Sequence, residues 1–213
     1  MSAASVQRLF LMVRECGTKT ALMRQTTASN RPRRPLRPLD EQGLNDLALR
    51  YVERFATTRA KLAAYLNRKL RERGWDGAAA PDTQTVAALF AERGYVDDAG
   101  YALAKSRSLA GRGYGKRRLS MALRAAGVEE ADAEAARAHA DEEAVAAAIR
   151  FAQRRRIGPF ARRQACDPAE RDKAIGAMLR AGHNFALARA IVGMEPVEGA
   201  DAESLAKALA EAQ

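Results

Sequence analysis

The chain has 213 residues, 47% of them apolar and 29% charged, with a formal net charge of +10 at pH 7. That length and apolar share can supply a hydrophobic core, which excludes a chain disordered throughout. Alanine, leucine, arginine and glutamate outnumber β-branched and aromatic residues, so an all-α fold is expected and a sheet is disfavoured.

The first 39 residues carry eight Lys or Arg against one acid, Glu15, and end in Arg31-Pro-Arg-Arg-Pro-Leu-Arg-Pro38, where repeated proline blocks helix and strand alike. Residues 1–39 are therefore read as a disordered basic extension. They hold seven of the ten net charges, so the high isoelectric point is mainly theirs and is weak testimony to nucleic-acid binding by the rest. A dispensable leader, a start codon set too far upstream, an organelle transit peptide and an arm contacting DNA share this composition. The apolar run Leu9 to Val13 is shorter than a signal-peptide core of about 7 to 15 residues, and no run approaches the roughly 18 to 20 of a membrane helix. Cys16 and Cys166 stand far apart with no C-x-x-C pair, so a cytoplasmic protein without disulfide or zinc is expected.

Helical signals begin after Asp40. Gly74, Gly94, Gly127 and Gly182 each follow a run of helix formers, where a left-handed cap is expected. Pro81 and Pro168 sit at predicted first turns, and Asp167-Pro-Ala-Glu170 reads as a cap, an N1 proline and an N3 glutamate. Val86, Leu89 and Phe90 form one apolar stripe, Gly115, Leu119, Ala122, Leu123 and Ala126 a second, and Ile175, Met178 and Leu179 a third. Leu62 and Leu66 recur as Leu119 and Leu123, then as Ile175 and Leu179, which predicts a triplicated three-helix unit. The units are placed at 40–96, 97–140 and 141–194, in an elongated curved array with disordered termini. Residues 195–213 hold five acids and one lysine and are expected to be an acidic tail with a frayed helix at 202–212.

No catalytic constellation is visible. The cluster Gly111-Arg-Gly-Tyr-Gly-Lys116 is not a phosphate loop, because Ala110 and Arg117 stand where that motif needs glycine and Ser or Thr, and no strand precedes it. His139 falls in an acidic helical run and His183 after a helix-ending glycine, and neither has a partner at ligand spacing. No enzyme activity and no cofactor or metal is expected.

Charge alternates in blocks. Residues 99–128 contain seven bases and no acid, residues 129–143 seven acids and one base, and residues 144–166 six bases and no acid. Any one arginine is explained by a solvated helix face, but two basic blocks in successive units suit a phosphate- or acid-binding surface. Arg112, Tyr114, Lys116, Arg117, Arg118 and Arg124 from the first block, with Arg154, Arg155 and Arg156 from the second, are the candidate partner-binding residues. The Gly111 to Gly115 turn reads as flexible, and Tyr114 within it could stack on a base or a partner surface, or pack between helices.

The segment Phe90-Ala-Glu-Arg-Gly-Tyr-Val-Asp-Asp-Ala-Gly-Tyr101, followed by Arg112-Gly-Tyr-Gly-Lys-Arg-Arg-Leu119 and Leu123-Arg-Ala-Ala-Gly-Val128, resembles the signature of the RecX family. The resemblance spans 44–192, is strongest in the second unit and weakest in the third, which carries an irregular loop at 158–167 and a Gly-His-Asn-Phe185 corner. It implies an all-helical regulator in DNA recombination and repair that binds the RecA filament on single-stranded DNA and hinders strand exchange, ATP turnover and co-protease activity. The filament is the expected partner, single-stranded DNA itself is a second candidate, and a monomeric state is expected. Gly94 to Tyr101 also makes sense as a structural joint, in which Gly94 ends a helix, Tyr95 and Val96 pack back on it and Asp97 caps the next. Two other readings are open: a helix-turn-helix regulator with 116–124 as recognition helix, and a scaffold for an unrelated partner.

Overall fold

The computed structural model describes residues 37–79, 81–163 and 167–211; Cys16, Cys166 and most of the basic extension lie outside them. Among the described residues there are ten α-helices and no β-strand, with one isolated parallel bridge between Leu39 and Trp75. The helices are α1 (Glu41–Arg54), α2 (Arg59–Arg73), α3 (Thr83–Glu92), α4 (Asp98–Gly111), α5 (Lys116–Ala125), α6 (Glu134–Glu142), α7 (Ala144–Arg155), α8 (Pro168–Ala181), α9 (Phe185–Gly193) and α10 (Ala202–Glu211). None is long and apolar enough to cross a membrane.

Local chemistry sets the helix ends. Asp40, Thr58, Asp97 and Asn184 each accept a hydrogen bond from the amide three residues on, at the starts of α1, α2, α4 and α9. Asp167 accepts from Ala169, and Pro168 occupies the first turn of α8, as its sequence predicts. Gly182 closes α8 at φ +99, a conformation that would strain any side chain. The other three glycines read as helix terminators also have positive φ.

Three apolar clusters follow one another along the chain. Leu44, Leu62, Leu66 and Phe90 centre the first, among α1 to α3. Leu109, Leu119, Leu123 and Ala136 centre the second, among α4 to α6. Ile149, Phe151, Met178 and Ile191 centre the third, among α7 to α9. The stripe from Gly115 to Ala126 is inward as expected, with Leu119 and Leu123 almost fully buried. In the third unit the phase differs: Met178 is fully buried, whereas Ile175 and Leu179 are half-buried. The cause is tertiary, because Gly182 and His183 at the end of α8 turn against α5 and rotate Met178 and Ala181 into the core. In α3 the stripe centres on Ala87 and Phe90, leaving Leu89 exposed.

Both chain ends depart from expectation. Leu39, assigned to a disordered extension, is 1% exposed in the first core, and its amide donates to Gly74 at 3.0 Å while its carbonyl accepts from Asp76 at 2.8 Å. Burying one leucine beside Trp75 pulls the boundary back at least to Arg37, whose carbonyl accepts from Arg73 at 3.0 Å. At the other end, the expected frayed helix in an acidic tail is α10, whose Ala202, Leu205, Ala206 and Leu209 pack on the third core. Its acids face outward while a stripe at helical spacing faces α7. The C-terminus is thus ordered through Glu211.

Successive units are joined by polar contacts as well as packing. Between the first and second, the Arg59 guanidinium reaches Asp98 at 3.3 Å, Glu129 at 3.4 Å and Asp132 at 2.6 Å, and the Arg59 amide donates to Asp98 at 2.9 Å. Burial opposes the Arg59 charge, but these carboxylates outweigh it and raise the pKa further. The buried Thr58 hydroxyl donates to the Ala126 carbonyl at 2.6 Å. The Gly94 to Tyr101 joint forms as read: Val96 is buried and the Asp97 carboxylate caps Gly100 at 2.8 Å. Tyr95, though against Phe90, is 53% exposed.

Candidate partner-binding surface

The chain leaves α4 through a tight turn. Gly113 at φ +74 donates to Ala110 at 2.8 Å, and Tyr114 donates to Leu109 at 2.9 Å. Far from being a flexible turn, this segment is clasped by the third unit. The Gly115 amide donates to Ala181 at 3.0 Å, the Arg117 amide to Gly182 at 3.2 Å, and His183 Nε2 lies 3.2 Å from the Gly113 carbonyl. A Cβ on Gly113 would stand 2.8 Å from the Phe151 amide nitrogen, so glycine permits backbone contact between units. His183 is buried against the Phe151 ring, and burial lowers its pKa more than its Gly113 bond raises it. His139, which its acidic helical run alone would place in solvent, is half-buried with Nδ1 3.1 Å from the Ser106 hydroxyl.

Tyr114 packs on both the second and third cores, and its remaining surface is ringed by cations. The guanidinium carbons of Arg112, Arg118 and Arg154 lie 5.7, 5.5 and 5.6 Å from its ring centre. Arg154 also donates to the Arg112 carbonyl and lies over Phe151. Arg155 and Arg180 line the open cavity of about 370 Å³ beside these rings. Among the described residues none of these five arginines is ion-paired. Cations gathered without acids repel one another, and an anionic partner would relieve that repulsion.

The fold thus brings together Arg112, Tyr114, Arg118, Arg154 and Arg155 from two sequence blocks. The other four candidates stand apart. Lys116 is paired with Asp141 at 2.6 Å, and Arg117 and Arg124 are exposed on α5 without contact to the ring. Arg156 takes the left-handed cap of α7 at φ 54 and lines a different cavity with Arg162 and Glu170. Arg180 was not singled out from sequence; its signal was an unopposed base in the last turn of α8. Among the described residues no three His, Cys, Asp or Glu gather at a spacing that could hold a metal ion.

Tandem three-helix units, the second and third joined backbone to backbone with a cationic rim at that joint, define an all-helical repeat protein. Residues 97–136 match the family described as RecX, second three-helix domain. The chain is 30% identical over 173 residues to the regulatory protein RecX of Myxococcus xanthus (strain DK1622), covering 78% of this chain and 91% of that one. The crystal structure of RecX from Lactobacillus salivarius shares the fold, with a TM-score of 0.55 at 16% identity, over 71% of this chain and 93% of its own. This chain belongs to the RecX family of regulatory proteins.

Proposed function

We propose that this protein binds the RecA filament on single-stranded DNA and lowers its recombinase, ATP-hydrolysing and co-protease activities in the cytoplasm. Family membership supports the partner, and the observation that supports the surface is the Tyr114 ring with Arg112, Arg118 and Arg154 around it and no acid paired to any of them. An acidic face of the filament would complement that charge and speed encounter. The recognition-helix reading of 116–124 is less well supported: the backbone at the start of α5 is hydrogen-bonded to Ala181 and Gly182 of the third unit, Lys116 is paired with Asp141, and Leu119 and Leu123 serve the core.

The test is RecA-driven ATP hydrolysis on single-stranded DNA. The variant Arg112→Glu, Arg118→Glu, Arg154→Glu should stay folded, because all three side chains are exposed. It should inhibit much less than the parent, with a loss of about one to a few kcal/mol in binding that narrows as salt rises. Parent protein that leaves ATP turnover and strand exchange unchanged at saturation would refute the partner. A variant that inhibits as well as the parent would refute the surface.

A further inference from the structure

A second cationic face lies on the first unit, far in sequence from Tyr114. On α1, Arg50 and Arg54 are one turn apart, as are Tyr51 and Phe55, so the four share one side of the helix. The Tyr51 ring stacks on Tyr65 of α2 at 4.2 Å and 14°, and meets Phe55 at 5.4 Å. Phe55 itself is 56% exposed. It is the wall common to two open cavities of about 480 Å³ each. Arg50, Arg54 and Arg68 border one; Tyr95, Tyr101 and Lys105 border the other. Arg68 is held by Glu72 at 3.6 Å, but Arg50, Arg54 and Lys105 have no ion-pair partner among the described residues. Asp97, an acid on the second cavity, has its carboxylate committed to the Gly100 amide.

We propose that this face is a binding site for single-stranded nucleic acid, with bases stacking on the open rings of Phe55 and Tyr95 and phosphates meeting Arg50, Arg54 and Lys105. Unpaired bases call for an anion. An acidic peptide would satisfy them without using the two aromatic rings, each more than half exposed, that flank the cavity. A single strand presents a planar ring and a phosphate at every step, which matches both features at once. A duplex has its base faces closed and would use only the charges.

The experiment is fluorescence anisotropy of the full chain with a labelled oligothymidylate of about 20 nucleotides, longer than the roughly 4 to 16 that one compact site covers. The expected result is affinity that falls steeply with salt and exceeds that for a duplex of equal length. Phe55→Ala should weaken it about tenfold, and Phe55→Leu, which keeps an apolar contact but removes the flat ring, should weaken it similarly. Arg50→Glu with Arg54→Glu should weaken it at least about tenfold and flatten the salt dependence. These side chains are exposed, and circular dichroism verifies that the variants fold. Oligouridylate measured alongside shows which sugar is preferred, and binding of either strand supports the site. No binding at low salt, parent-like binding by the Phe55 and Arg50/Arg54 variants, or equal affinity for duplex would overturn it. Arg112→Glu with Arg154→Glu should retain oligonucleotide binding; if that variant alone loses it, the site is not here. Inhibition of RecA measured on the same proteins separates this proposal from the preceding one, since either readout can fail while the other survives.

Discussion

Gly115 and Gly182 meet backbone to backbone: a Cβ on Gly115 would stand 2.4 Å from the Gly182 carbonyl oxygen. Neither flexible side chains nor solvent separates the second unit from the third at this point, so the contact cannot absorb a methyl group without moving the joint. Gly115→Ala should therefore lower stability by about 1–3 kcal/mol, as overpacking does. Gly111→Ala, only four residues away but with open space around it and at the end of a helix, should be neutral or slightly stabilising. Urea denaturation of the two variants checks this, and equal midpoints would mean that the joint opens freely.

Leu39 gives the second expectation. Truncation of residues 1–36 should leave the helical content and melting temperature of the described fold unchanged, whereas Leu39→Ala in the full chain should cost about 2–5 kcal/mol. Thermal melts followed at the helix band decide it.

At the first joint, Asp98 has a side chain only 4% exposed and accepts from both the amide and the guanidinium of Arg59. Asp98→Ala should cost about 3 kcal/mol by stranding part of that buried network, and Asp98→Asn less, because the amide oxygen can still accept. Glu129→Gln, at the exposed edge of the same cluster, should change the denaturation midpoint by no more than about 0.5 kcal/mol.

His183 predicts acid sensitivity. Its folded pKa is depressed by burial, so the unfolded chain binds the proton more readily. The neutral imidazole contributes stability above the ordinary histidine value of about 6.5, and that contribution is lost as pH falls below it. His183→Gln, whose amide can still donate toward Gly113, should lose less melting temperature than the parent between about pH 7.5 and 5.5. Identical pH profiles would show that the imidazole stays neutral in both states or is solvated in the fold.

Much of this protein is legible in its order of residues because the signals are local. Asp97 capping Gly100, Pro168 opening α8, Gly182 closing it and Leu119 with Leu123 on one side of α5 each involve atoms within a turn or two of helix, where residue type decides conformation. The pair Arg50 and Arg54 beside Tyr51 and Phe55 was equally local and could have been seen in the spacing. What only tertiary structure decided is which distant groups meet. Arg118, Arg154 and Arg180 lie on three helices, and how α5, α7 and α8 cross places them at Tyr114 and its cavity, while Lys116, two residues from Arg118, is turned to Asp141. The same crossing puts Met178 rather than Leu179 in the third core, on which Ala202, Leu205, Ala206 and Leu209 of α10 also pack. Helix periodicity defines a face but not the neighbour that covers it. That neighbour is chosen by close packing between units, where two glycines without Cβ atoms let the backbones touch.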